Sequence, residues 1–296
     1  MHGCQGQYLW SELTRSADVL LAVGCRFADE TTCSYRRGVA FFFPPTRLIH
    51  IDIDPHEIGK NYPTEVGIVA DARAALGALA LVLEDLGHRD WIGGAYAGEI
   101  HRLRAEWHAF LAQHHNDSHE PVTISTLLYE THVALPRNTL VVHSSGSTQA
   151  QILQKFPFYE PRTCLTTGGF STMGFTLPAA LGAKLARPEQ PVVDIVGDGD
   201  FLIHVQELST AVRYGVPIVY IVANNQGWMS IRDLQMAALG DVHAFVSDFM
   251  RGDEVYSLDL TRIAAEVRLL EPSHLAGRGG GPGPSRRPGR RGPRRR

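Results

Sequence analysis

The sequence predicts an α/β protein made of two parallel-sheet units and a basic tail, and three observations carry that expectation. Short apolar runs alternate with stretches of helical periodicity, the pattern of parallel strands with helices packed on them. A polar, histidine-rich segment interrupts the pattern, which restarts at Thr123. The second half then places a strand, a glycine-rich turn, a helix and a strand in succession, with polar residues at both strand ends. At 296 residues, 44% hydrophobic and 20% charged, the composition is that of a globular chain. Its length suits about two domains.

The elements follow in order. Residues 18–24 (DVLLAVG) form an apolar run closed by glycine, residues 47–54 (RLIHIDID) a second run ending at Pro55, and residues 66–70 (VGIVA) a third. All three read as buried parallel strands. Asp71 then caps a helix over 71–85 whose apolar positions recur at helical spacing. Residues 89–120 carry His101, His108, His114, His115 and His119, with Trp91 and Trp107 along a surface helix leading to a linker. Without carboxylate-backed facing pairs, these histidines read as solvated rather than metal-ligating. Beyond them come a helix through Ala134, a strand over 139–143, a Gly/Ser loop, and further helices and strands to about Glu266.

Several function classes are excluded at this level. No run of about 18 apolar residues is present to cross a membrane as a helix. The N-terminal stretch lacks a basic segment followed by an apolar one, so a cytoplasmic location is expected. Cys4, Cys25, Cys33 and Cys164 form no C-x-x-C pair, which predicts thiols and no structural zinc. The net charge of −3 conceals an asymmetry: residues 277–296 hold 8 Arg and no acid, leaving an acidic body. No G-x-G-x-x-G follows a strand, which argues against a nucleotide-binding dehydrogenase.

The chemistry concentrates in residues 191–225. A buried strand over 191–196 runs into Gly197-Asp198-Gly199, a helix follows with Phe201, Val205, Leu208 and Val212 on one face, Gly215 closes it, and a strand over 217–223 delivers Asn224-Asn225. Ligands bind at the carboxyl ends of such strands. Glycines let backbone N–H groups approach an anion, and the helix start adds positive dipole character, so the turn suits a phosphate. Asp198 would repel that phosphate unless a hard divalent cation lay between them. Mg²⁺ accepts a carboxylate, an amide oxygen, a carbonyl and phosphate oxygens, which Asp198, Asn225 and the Gly227 carbonyl would supply. A calcium loop needs alternating acids, whereas Phe201-Leu202-Ile203 follow Asp200.

GDG followed by NN on this frame resembles the thiamine-diphosphate (ThDP) signature of the acetolactate synthase and pyruvate decarboxylase superfamily. Two further segments narrow the likeness to acetolactate synthases. Residues 165–180 (LTTGGFSTMGFTLPAA) are similar to the segment that holds the cofactor's aminopyrimidine, and residues 49–60 (IHIDIDPHEIGK) to the middle domain. Residues 24–29 (GCRFAD) look like the FAD-contacting loop of that domain, with Ala28 and Glu30 departing from its usual Asp and Arg. The resemblance spans about residues 1–265. It implies a partial middle domain over 1–88, a linker over 89–120, a ThDP-diphosphate and Mg-binding domain over 121–266, and a disordered tail over 267–296.

The resemblance implies ThDP- and Mg-dependent decarboxylation and carboligation of 2-keto acids. Met173 would wedge between the cofactor's two rings, with the Ser171 carbonyl and the Met173 N–H holding the pyrimidine and Thr172 beside them. Ser171 replaces a usual Gly. Ser145, Gly146, Ser147 and Thr148 would meet the diphosphate, Ser147 and Thr148 standing where Gln and His are usual. Gly197, Gly199 and Asp200 would complete the diphosphate site, Asp200 at a position where a hydroxyl is common. Arg26 and Asp52 are the positions for FAD. Trp228, Met229 and Gln235 would border the substrate pocket. The activating Glu belongs to a pyrimidine domain not found in these residues, so the isolated chain is expected to be inactive, to self-associate, or to be completed by a separate pyrimidine-domain chain as a non-catalytic ThDP-binding subunit. Met1-His-Gly aligns with an interior Met-His-Gly of the middle domain, and the Arg/Gly/Pro tract reads as frameshifted translation. A nucleic-acid-binding arm is the competing reading, without the interleaved aromatics that stack bases.

Overall fold

The computed structural model describes residues 8–87, 94–115, 120–240, 245 and 247–267. Helix α1 (Tyr8–Ser16) precedes strands β1 (Val19–Val23), β2 (Arg47–Asp52) and β3 (Val66–Val69), which pair in parallel in the order β1-β2-β3. Leu48 and Ile51 on β2 are buried, and an aromatic cluster covers one end, where the Phe27 ring meets Phe41, Phe43 and Tyr62 edge-on. Helix α2 (Ala72–Asp85) opens as the sequence predicts, with the Ala74 N–H donating to Asp71 Oδ1 at 3.0 Å. Its apolar face behaves differently from expectation: α2 buries no residue, and Leu81 stands 64% exposed. The three strands also diverge from a fully buried sheet, since Val19, Leu21 and all of β3 are exposed.

The stretch expected as a surface helix and linker is the 21-residue α3 (Ala95–His115), which buries Leu103 against Leu13 of α1 and also buries Leu111. Trp91 and the Arg-rich tail lie outside the described residues. The thiol expectation needs correction: Cys25 and Cys164 are free, but Cys33 is disulfide-bonded. Absence of a C-x-x-C spacing excludes only local pairs, which is why the sequence reading missed it.

The second unit starts with α4 (Ile124–Ala134), capped by Thr123, whose hydroxyl accepts from the Thr126 N–H. It continues through β4 (Leu140–His143), α5 (Gly146–Lys155), β5 (Cys164–Thr166), α6 (Thr176–Ala186), β6 (Val192–Gly197), α7 (Asp198–Ile203), α8 (Glu207–Tyr214), β7 (Val219–Ala223) and α9 (Met229–Leu239). A short hairpin, β8 (Met250–Arg251) with β9 (Glu254–Val255), and α10 (Leu260–Glu266) complete it. The sheet is parallel in the order β5-β4-β6-β7. Every residue of β4, and β6 from Val192 to Val196, is buried, as the continuous apolar runs of a sheet covered on both faces require.

Two boundaries differ from the sequence reading. The Gly/Ser stretch after β4 is the first turn of α5 rather than a loop. The helix expected after the GDG turn divides into α7 and α8 at His204, whose ring turns back to the Gly174 carbonyl. No helix among the described residues is long and apolar enough to cross a membrane.

Candidate functional site

Strand order fixes where a ligand belongs. From β4 the chain moves outward to β5 on one side, then returns to β6 and β7 on the other, so the direction of winding reverses between β4 and β6. A crevice opens at the carboxyl ends of strands at such a reversal. Ser144–Gly146 leave β4 there, Gly197–Gly199 leave β6, and Asn224–Gly227 leave β7.

Asp198 is the buried charge of this crevice, 4% exposed at the first position of α7. Its Oδ1 accepts from the Gly199 N–H at 2.9 Å and its Oδ2 from the Gln226 N–H at 2.7 Å. The second bond docks the loop after β7 onto the turn after β6, which brings the segment holding Asn225 and Gly227 to Asp198. Burial pushes the Asp198 carboxyl above its ordinary range, against the pull of the N–H groups of Gly199, Gln226 and Gly227. A carboxylate in that state gains from a cation. The donor set is all hard oxygen, a carboxylate with an amide and a carbonyl available on the docked loop, and it fits Mg²⁺. Gly227 is buried and bridges Asp248, while Asn225 is exposed.

The anion side assembles from the same turn. Thr148 is buried on α5, and a Cβ at Gly197 would lie 3.7 Å from its hydroxyl oxygen, so Thr148 adjoins the GDG turn. Ser145 caps α5 without a side-chain capping bond, Ser147 is half-buried, and Gly146 faces Ser230 on the first turn of α9. The starts of α5, α7 and α9 thus converge, and a helix start is where backbone N–H groups can meet an anion. Gly199 has no room for a side chain, because a Cβ would collide with the Trp228 indole. Beside the turn lies an open cavity of about 550 Å³ lined by Asp198, Gly199, Trp228, Phe249, Tyr256 and Leu260. Of the three expected border residues only Trp228 lines it; Gln235 instead accepts from the Phe245 N–H at 3.1 Å, and Met229 packs against Gly227.

The 171–174 loop completes the arrangement. Ser171 adopts a left-handed conformation with φ of 55°, and its hydroxyl donates to Gln149 Oε1 at 2.9 Å, while Gln149 Nε2 donates to Thr166. That bond compensates a backbone shape that favours glycine. Thr172 is exposed and Met173 half-buried. Asp200, expected at the diphosphate, has its carboxylate engaged within the chain, accepting from the Ser144 hydroxyl and the Gly174 N–H.

Arg26 follows the carboxyl end of β1 and Asp52 ends β2, and both have contacts within the chain. Asp52 Oδ1 accepts from the Asp54 N–H at 2.9 Å, and the Arg26 guanidinium packs on Gly169 of the second unit. Ser144, Gln149, Gly174 and His204 were not singled out from the sequence. Ser144, Gln149 and Gly174 carried a signal, each standing one residue from an expected contact, and His204 carried none.

Comparison with known proteins defines the class. The thiamine pyrophosphate enzyme central domain matches residues 1–79, and the C-terminal TPP binding domain of the same enzymes matches residues 144–269. The chain belongs to the thiamine pyrophosphate enzymes, thiamine pyrophosphate being another name for ThDP. Within that family it is similar to acetolactate synthases. It is 34% identical over 279 residues to the probable acetolactate synthase large subunit of Methanocaldococcus jannaschii, covering 92% of this chain and 46% of that protein. It is 34% identical over 268 residues to the isozyme 3 large subunit of Escherichia coli (86% and 44%), and 35% over 227 residues to acetolactate synthase 1, chloroplastic, of Nicotiana tabacum (76% and 33%). The chain therefore spans less than half the length of these relatives.

Proposed function

We propose that this chain supplies the diphosphate- and Mg²⁺-binding half of an acetolactate-synthase-like enzyme acting on 2-keto acids. The observation that carries the reading is the buried Asp198 carboxylate, at the winding reversal, with the loop of Asn225 and Gly227 docked on it through the Gln226 N–H. In this reading Asp198, Asn225 and the Gly227 carbonyl hold Mg²⁺. Ser145, Gly146, Ser147 and Thr148 offer N–H and hydroxyl donors to the diphosphate, beside Gly197 and Gly199, which put no side chain in its path. The Ser171 carbonyl and Met173 N–H orient the pyrimidine, Thr172 lies alongside, and the Met173 side chain holds the two rings in a bent arrangement. When bound, ThDP supplies the nucleophilic carbon and the electron sink that 2-keto acid decarboxylation and carboligation need. The protein's share is positioning and exclusion of water.

The same proposal places the pyrimidine-activating Glu outside these 296 residues. The isolated polypeptide then binds cofactor without turning over, and completes its site by self-association or with a complementing chain that carries the pyrimidine domain. A cytoplasmic location belongs to the proposal and rests on sequence alone. Flavin binding at Arg26 and Asp52 rests on the resemblance of their segments alone.

Thermal unfolding tests the reading. ThDP at about 100 times its dissociation constant adds about 2.7 kcal/mol to the folded state. The melting temperature should rise with ThDP in Mg²⁺ and not with ThDP in a chelator. An equal rise in both would sink the metal assignment, and no rise in either would sink the cofactor assignment.

A further inference from the structure

Asp200 follows the GDG turn directly, yet its carboxylate does not face the crevice. It is 5% exposed. One oxygen accepts from the Ser144 hydroxyl and the other from the Gly174 N–H. Ser144 is the first residue after β4 and leads straight into the start of α5. Gly174 immediately follows Met173. Three chain segments far apart in sequence therefore meet at one side chain.

A second contact works on the same peptide. His204, just past α7, donates from Nδ1 to the Gly174 carbonyl at 2.6 Å. Asp200 and His204 thus hold the N–H and the C=O of Gly174 from one short helix. The approach is close: Gly174 has φ of +80°, and a Cβ there would collide with the His204 ring and Ile203. The loop lies directly against α7 at this point, and the Asp200 carboxylate and the His204 ring fix its height over the turn.

We propose that Asp200 is a positioning residue that ties the Met173 loop and the start of α5 to the diphosphate turn. The inference rests on the reading that ThDP binds here, and adds to it how the pyrimidine side and the diphosphate side of the site are kept in register before the cofactor arrives. A carboxylate suits the task because two acceptor oxygens in a fixed plane can take one donor from each neighbouring segment. Held in place beforehand, the two sides need not be ordered at the cost of binding energy.

The test uses the full chain with Asp200→Ala, Asp200→Asn and Ser144→Ala, and reads two quantities. The first is amide hydrogen exchange over residues 171–176, with residues 192–196 of β6 as the control for folding. The second is the affinity for ThDP with Mg²⁺. Asp200→Ala should speed exchange in 171–176 while β6 stays protected, and should weaken ThDP roughly tenfold, the size of a lost buried hydrogen bond. Asp200→Asn, which can still accept from Gly174 and pair with Ser144, should recover most of both. Unchanged exchange and affinity in Asp200→Ala would overturn the proposal. So would an Asn variant as impaired as Ala, because charge rather than the two-point grip would then be at work. If Asp200→Ala does not fold, Ser144→Ala removes one arm alone and should give a smaller loss in the same two readouts; no change there overturns the proposal equally. Wild-type chain that fails to bind ThDP sinks the functional reading, while the exchange result still decides the clamp.

Discussion

His143 ends β4 fully buried, with Nε2 3.3 Å from the Cys164 sulfur and Nδ1 without a hydrogen-bond partner among the described residues. Burial lowers its pKa from 6.5 to about 4. Between those values the unfolded chain binds the proton and the folded chain does not. Stability is therefore full above the unfolded value and is lost as pH falls toward 4. Wild type should lose about 2 kcal/mol more than His143→Gln between pH 7.5 and 5, measured by urea unfolding. Parallel pH profiles would contradict this. Asp194 has the opposite sign. It is fully buried on β6, and burial pushes its carboxyl well above the ordinary range, against the pull of the nearby Thr176 hydroxyl and with reinforcement from Asp200. Its folded form holds a proton that the unfolded form releases, so stability is lost as pH rises. Asp194→Asn should raise the melting temperature, by more at pH 8 than at pH 5; a variant that melts lower at both would refute the assignment. At this scale the sequence exposed Asp198, because a carboxylate between two glycines after an apolar strand has few other uses. It hid the direction of Asp200, because which way a side chain points depends on Ser144 and Gly174, which are distant in sequence.

Among the elements, the strands were legible and some of the helix ends were not. The apolar runs of β1, β2, β4 and β6 mark themselves, and Asp71 and Thr123 announce α2 and α4 through capping bonds that are local in sequence. Helix α5 was hidden because it starts in a Ser/Gly stretch of low helix propensity and is held in place by the turn and α9 around it. The break between α7 and α8 was hidden because its cause is the His204 bond to Gly174, thirty positions away. This contact makes a prediction for the loop as a unit. Gly174→Ala forces a side chain into a left-handed position against the His204 ring and should cost about 1–3 kcal/mol, with ThDP affinity falling alongside. A variant with unchanged unfolding midpoint and affinity would show that the loop does not need to lie on α7.

Across the whole molecule, apolar surface is unevenly covered. Leu81, Val82 and Val69 are 64%, 54% and 59% exposed on α2 and β3, whereas β4 and β6 are sealed on both faces. Large apolar side chains exposed in this way favour association. The average mass by light scattering should rise with concentration, and Leu81→Lys with Val82→Lys should suppress the rise; a constant mass for the unsubstituted chain would contradict it. The central claim concerns the second unit, where the loop after β7 docks on Asp198. Calorimetric titration of ThDP into wild type and Asp198→Ala, each with and without Mg²⁺, tests it most directly. The account predicts tight binding only for wild type with Mg²⁺. Equal ThDP affinity in all four titrations would contradict it.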